Sequence, residues 1–208
     1  MEYLIALPLS FLAGAFPTSY FAGRLLRGID LREHGSGNLG ATNVFRVMGA
    51  GPAVAILLLD IFKGFAPVFW LPRAVGLRGE MLLACLLAVA AVLGHVFSPF
   101  VGFRGGKGVA TAAGVFLAIC PAAIGICVLA WALVFAVFRI VSVASLIAAV
   151  ALPPAIWFTL DRSAQGFGTV QAFGLAIAAG VFYTHRSNIG RLLRGEEKRL
   201  SRGGGDKR

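Results

Sequence analysis

Three short segments hold the residues that could do chemistry. Gly35 to Arg46 reads Gly-Ser-Gly-Asn-Leu-Gly-Ala-Thr-Asn-Val-Phe-Arg. Gly35, Gly37 and Gly40 let backbone N–H groups come close to an oxyanion, while Ser36, Asn38, Thr42, Asn43 and Arg46 add neutral or cationic donors. Gly102 to Gly108 repeats this texture around one amine, with Gly105, Gly106 and Gly108 flanking Lys107. Tyr183 to Glu197 contains His185, Asn188, Arg191 and Glu197, and His185 and Asn188 stand three apart, on one side of any helix there. Anion binding is the chemistry that these residue types share.

Two nucleotide readings of the glycines fail. Gly35-x-Gly37-x-x-Gly40 fits a dinucleotide fingerprint, and Asp60 follows at the spacing of its acidic partner. That site requires a strand before the glycines and a βαβ unit around them, whereas the flanks here are apolar runs and Asp60 follows Leu57-Leu58-Leu59. The Gly-Gly-Lys-Gly segment lacks the Gly-x-x-x-x-Gly-Lys-Ser/Thr spacing of a phosphate loop.

The elements that must position these segments are membrane helices. Of 208 residues, 58% are hydrophobic and 13% charged, with a mean hydropathy of +0.84, outside the range of soluble domains. The net charge of +10 comes from residues at the ends of apolar runs and in one short tail, a distribution that points to anionic lipid and anionic substrates rather than nucleic acid. Cys85, Cys120 and Cys127 lie within apolar runs without a metal-ligand spacing and read as buried thiols.

The first run, residues 3–23, contains Ala13-Gly14-Ala15, which resembles a signal-peptide cleavage site, but no basic residue precedes the run, so it is expected to be an uncleaved first helix. Further runs cover 52–71, opening at Pro52, then 81–100, 141–160 and 168–184. The 30 residues from Val109 to Phe138 would make one helix about 45 Å long, half again the hydrocarbon thickness, and Pro121 near the middle offers a break. Taken as two short spans, this run brings the basic C-terminal segment back to the side of the other basic loops. Inner segments then hold 15 Lys or Arg and outer loops 3. The expected architecture is an all-α bundle of seven transmembrane helices, N-terminus outside and C-terminus cytoplasmic. Residues 1–201 form one domain, and the basic, glycine-rich tail 202–208 is expected to be disordered or to touch lipid. Asp60 and Lys63 fall inside the second run, where they either pair for a function or represent a snorkelling lysine and its neutralising acid.

Taken together, the three segments resemble the bacterial acyl-phosphate:glycerol-3-phosphate acyltransferase (PlsY) family. The matching stretches are Gly-Ser-Gly-Asn-x-Gly-Ala-Thr-Asn-x-x-Arg at 35–46, Gly-Gly-Lys-Gly-Val-Ala-Thr at 105–111 and His-Arg-x-Asn-Ile-x-Arg-Leu-Leu-x-Gly-x-Glu at 185–197. Leu59-Asp60-x-x-Lys63-Gly64, Gly94-His95 and Arg139-x-x-Ser142 extend the likeness. One departure is Glu196, which stands where the family usually has threonine.

The resemblance implies a bacterial cell membrane enzyme with seven helices and a site facing the cytoplasm. It would transfer a fatty acyl group from acyl phosphate to the 1-hydroxyl of sn-glycerol 3-phosphate, with no cofactor expected and coenzyme A not required. Two substrate phosphates require two anion cradles, which suits two glycine-rich loops. Ser36, Asn38, Thr42, Asn43 and the backbone of the first loop would hold one phosphate. By resemblance, Lys107, His185, Asn188 and Arg46 would engage the other, with Ser142 or Ser145 nearby. Ser36, Lys107 and His185 are the expected catalytic positions, and Thr111, Arg191 and Glu197 complete the expected substrate contacts. From the residues alone, a transporter of a small phosphorylated anion is the competing reading, but its site belongs near the midplane rather than on one side.

Overall fold

Prolines and glycines decide where the apolar runs become separate helices. In the computed structural model, which describes residues 2–74, 76 and 79–200, every regular element is helical. The order is α1 (Glu2–Ala15), α2 (Thr18–Arg27), α3 (Ala41–Met48), α4 (Ala50–Ala74), α5 (Met81–Val96), α6 (Val109–Ile119), α7 (Pro121–Phe138), α8 (Val141–Thr159), α9 (Phe167–Thr184) and α10 (Arg186–Leu193). Short 3₁₀ turns at Leu31–Glu33 and Pro99–Val101 lead into the two glycine-rich loops. The tail 202–208 and Arg78 of the 72–79 loop lie outside the described residues.

Among the described residues, six segments are long and apolar enough to cross a membrane: Leu4–Arg27, Ala50–Ala74, Met81–Val101, Pro121–Phe138, Val141–Thr159 and Phe167–Thr184. The long run does divide at Pro121, with Cys120 at φ −146° between α6 and α7. Of the seven expected spans, α6 is the short one. Its 11 residues extend only about 16 Å, roughly half the hydrocarbon core.

The first run departs from the expected single helix. It breaks at Phe16-Pro17 into α1 and α2, where Pro17 supplies no N–H and the opened carbonyls meet side-chain donors. In lipid the exposed carbonyls must find donors inside the protein. Ser98 Oγ donates to the Ala15 carbonyl at 2.6 Å, and Lys63 Nζ donates to that of Phe16 at 2.9 Å.

Helix pairs α4–α6, α1–α5 and α7–α8 make the main contacts. The first pair is close because glycines meet backbone: a Cβ on Gly64 would lie 2.2 Å from the Thr111 carbonyl oxygen, and one on Gly114 would lie 1.9 Å from that of Ile61. Leu83, Leu87, Val115, Ile156 and Val170 are fully buried in the central core, where Phe116 stacks on Phe173 and the three free cysteines are also buried. Leu58, Leu129 and Phe158 point outward, as lipid-facing side chains do.

Candidate active site

The first loop is organised from within. Asp30 ends the stretch after α2, and its carboxylate accepts from the Arg32 backbone N–H at 3.0 Å and forms ion pairs with Arg32 at 2.6 Å and Arg24 at 3.3 Å. The bonds from Arg32 hold this carboxyl down to about 2 despite its burial. Both guanidinium groups also lie over the Tyr20 ring. Asn43, on α3, is 1% exposed and sits under the loop like a peg. Its Nδ2 donates to the carbonyls of Leu31 (3.1 Å) and His34 (3.0 Å), and its Oδ1 accepts the Ser36 N–H at 2.7 Å. Gly35 and Gly37, at φ +64° and +72°, make the reversals this wrapping needs.

This arrangement changes the reading of Asn43. Expected as a phosphate contact, it instead commits its amide to loop backbone and so shapes the loop. Ser36 is left exposed above it, Asn38 folds over Gly40, and Thr42 lies in the first turn of α3, with Arg46 one turn on.

In the second loop, the backbone amides of Gly105 and Gly106 donate to the carbonyls of Val96 (3.0 Å) and His95 (3.2 Å) at the end of α5. They were expected to cradle an anion, but they cap a helix instead. Their lack of side chains has a separate reason: a Cβ on Gly106 would lie 2.2 Å from His95 Nε2 and 2.3 Å from the Leu39 carbonyl oxygen. This is where the two glycine-rich loops touch. Gly108, at φ +80°, caps the start of α6, and Thr111 is buried in the α4–α6 interface rather than among the donors.

Lys107 carries the functional group of this loop. Its Nζ donates to Asn188 Oδ1, and its carbonyl accepts from Thr184 Oγ1 at 3.2 Å, joining the second segment to the third. Asn188 Nδ2 donates to Glu197 Oε1, which also accepts from Ser142 at 2.8 Å, while Arg191 Nε donates to Oε2 at 2.6 Å. Gly195, at φ +71°, turns the chain so that Glu197 reaches this cluster, and the Leu200 N–H then binds the Arg139 carbonyl at 2.7 Å. Burial raises the Glu197 carboxyl, but the bonds from Asn188, Ser142 and Arg191 outweigh it, so the carboxyl lies below its ordinary value. Ser145 lies one turn deeper and accepts from Trp131 Nε1 at 3.2 Å, outside the Glu197 cluster.

Burial pushes the Lys107 ammonium down to about 8, with Arg191 and Arg46 adding repulsion against the pull of Glu197. Arg46 of the first segment therefore shares an electrostatic field with Lys107 and Arg191. Burial, followed by the Lys107 charge, pushes His185 down to about 4. Its Nδ1 is 2.8 Å from the Val181 carbonyl, which can only accept, so the neutral ring carries its proton there and offers a lone pair at Nε2. Such a ring accepts from a hydroxyl rather than donating to a phosphate.

Sequence reasoning missed Asp30, Thr184 and His95 as parts of this assembly. Asp30 was recoverable from an acid two residues before Arg32, the pattern of a side-chain-capped turn. Thr184 gave no local signal, since Lys107 is 77 residues away, and Gly94-His95 entered the sequence reading only through the family resemblance, without a role.

Fold and site define a polytopic helical membrane protein with a cluster of cationic, hydroxyl and amide side chains gathered at one end of its helices. The glycerol-3-phosphate acyltransferase family matches residues 4–195, and the chain belongs to that family, as a membrane acyltransferase of phospholipid synthesis. Glycerol-3-phosphate acyltransferase of Chlorobium phaeobacteroides (strain DSM 266) is 42% identical over 98% of this chain and 99% of its own length. That of Desulforudis audaxviator is 44% identical over 97% of each. Two crystal structures of PlsY, an integral membrane glycerol 3-phosphate acyltransferase, are also similar. The glycerol 3-phosphate form has a TM-score of 0.82 at 36% identity, and the lysophosphatidic acid form 0.83 at 35%; each covers 97% of this chain and 96% of its own.

Proposed function

We propose that residues 1–201 form one unit that transfers a fatty acyl group from acyl phosphate to the 1-hydroxyl of sn-glycerol 3-phosphate. The products are 1-acylglycerol 3-phosphate and phosphate. The site faces the cytoplasm in this reading, with the N-terminus outside, as the excess of Lys and Arg in the inner segments favours. The observation that carries the proposal is the convergence on Lys107: Asn188 binds it directly, and Arg46, Arg191 and Glu197 act on its charge.

The acceptor hydroxyl attacks the acyl carbon, the acyl C–O bond to phosphate breaks, and the hydroxyl proton leaves on the released phosphate. Lys107, Arg46 and Arg191 stabilise the phosphate charge, and exposed Ser36 with Thr42 and Asn38 hold a second phosphate over the loop that Asn43 shapes. His185 Nε2 accepts from the 2-hydroxyl of glycerol 3-phosphate and orients the acceptor, so the proton of the attacking 1-hydroxyl stays free for the departing phosphate. At about 4, the ring is too weak a base to carry the proton transfer. His185→Asn is therefore expected to lower kcat only about 3- to 10-fold and to raise the KM for glycerol 3-phosphate, whereas loss of a general base costs ~10²- to 10⁴-fold.

Release of phosphate from palmitoyl phosphate by detergent-purified protein, dependent on glycerol 3-phosphate, is the expected result. If no phosphate is released, and proteoliposomes instead take up glycerol 3-phosphate, the reaction is wrong and the protein is a transporter.

A further inference from the structure

Asp60 and Lys63 have no part in the mechanism above, yet both are buried in α4 and joined at 2.9 Å. Lys63 does not reach toward the membrane surface. Its ammonium donates to the Phe16 carbonyl at 2.9 Å, and Asp60 Oδ1 accepts from Thr18 Oγ1 at 2.6 Å. The pair thus straddles the Phe16-Pro17 break, the lysine holding the residue before the proline and the aspartate the residue after it.

Both glycine-rich loops are rooted at this point. Downstream of the break, α2 runs to Asp30 and the first loop, whose Arg32 Nη1 reaches the Val101 carbonyl at 3.4 Å. Ser98, which caps the Ala15 carbonyl, also accepts the Phe103 N–H at 2.8 Å where the second loop begins. His95, 7% exposed, lies between. Its Nδ1 has no hydrogen-bond partner among the described residues and stands 3.9 Å from Asp60 Oδ1, and its Nε2 faces Gly106. A cavity of about 10 Å³, about the size of one water, is lined by Lys63, His95 and Ser98 from below and by Leu39, Gly105 and Gly106 of the two loops from above.

We propose that Asp60 and Lys63, acting through Thr18 and His95, are positioning residues that fix the break in the first membrane run and thereby set the two glycine-rich loops in register with each other. The proposal rests on assigning those loops to phosphate binding. The geometry gives each charge a separate anchor across the break, which simple neutralisation of a buried lysine would not require. A misplacement of either loop by about 1 Å is enough to lower turnover by ~10²-fold.

The test uses the full-length protein in detergent. Asp60→Asn with Lys63→Met removes both charges together and leaves neither unpaired. We expect a loss of about 10-fold or more in kcat/KM, with both substrate KM values raised. Hydrogen exchange is expected to quicken within 34–43 and 102–106 while α7–α9 exchange as in the wild type. Thr18→Val, which deletes one hydrogen bond and no charge, should produce the same loop-confined change with about a 3-fold loss, and Thr18→Ser should restore the wild type. The Thr18 pair decides the matter alone if the double variant does not fold. Wild-type exchange in both loops, a rise spread evenly over the bundle, or activity within about 2-fold of wild type overturns the proposal. Lys107→Met separates the two levels: retained activity there defeats the loop assignment, whereas lost activity there beside an active Asp60→Asn, Lys63→Met variant defeats only the positioning role.

Discussion

The two glycine-rich loops look alike in sequence and are built by different means. The first wraps around a neutral peg, Asn43, with Asp30 and its two arginines bracing one end. The second is tied down through its own amides, which cap α5, and presents one ammonium. Glycine richness therefore does not by itself indicate an amide cradle for an anion. In the second loop it serves close approach to His95 and Leu39, and the charge chemistry passes to Lys107.

Lys107 should be the most sensitive position in that comparison. Lys107→Met removes the charge around which Asn188, Arg46 and Arg191 are arranged, and kcat/KM is expected to fall ~10²- to 10³-fold, the range for losing one stabilising donor. A pH profile sharpens this. The ammonium is pushed down to about 8, and only its protonated form attracts phosphate. As pH rises through that value, kcat/KM for the free enzyme should therefore fall, approaching about tenfold per unit. Lys107→Arg should flatten this limb, since a guanidinium stays charged, while activity remains reduced because its planar fork does not reproduce a compact ammonium. A falling limb that survives in Lys107→Arg would assign the ionisation to another group.

The first loop should fail more gently and for a structural reason. Asn43→Leu keeps the volume but removes two donors and the acceptor of the Ser36 N–H. The Leu31 and His34 carbonyls retain backbone donors, so the loss should be about 1–3 kcal/mol, read as a lower Tm, with activity down about tenfold. If Asn43→Leu instead kept its Tm and lost activity as completely as Lys107→Met, the side chain would be a direct substrate contact and the contrast between the loops would collapse.

Pro121 and Pro17 show what was legible. Splitting 109–138 at Pro121 followed from length, because one helix of that run overshoots the membrane. Nothing local distinguished Pro17, since Pro8, Pro67, Pro72, Pro153 and Pro154 all lie inside helices of this chain. What differs at Pro17 is that Ser98 and Lys63, 83 and 47 residues from their acceptors, satisfy the opened carbonyls. The third segment was legible in part: the spacing of His185 and Asn188 placed them on one side, but the Glu197 contact with Ser142 depends on a turn at Gly195 and on α8 arriving from elsewhere. Residue types announced anion chemistry; which donors were already committed to backbone was a property of the assembled fold.

The smallest expected effect concerns where the charged half ends. Ser142 and Ser145 stand three apart on α8 and both are 4% exposed, so neither sequence nor burial separates them. Their partners do. Ser142 supplies one of the donors that fix Glu197, which in turn orients Asn188 against Lys107, whereas Ser145 accepts the Trp131 ring N–H and sits a turn deeper. Ser142→Ala should lower kcat/KM about 3- to 10-fold by loosening the carboxylate, and Ser145→Ala less than about 2-fold, since it removes one neutral hydrogen bond to a partly buried indole N–H outside the Glu197 cluster. Equal losses at the two positions would extend the anion site down α8 to Trp131; a larger loss at Ser145 would move its centre there, away from Lys107.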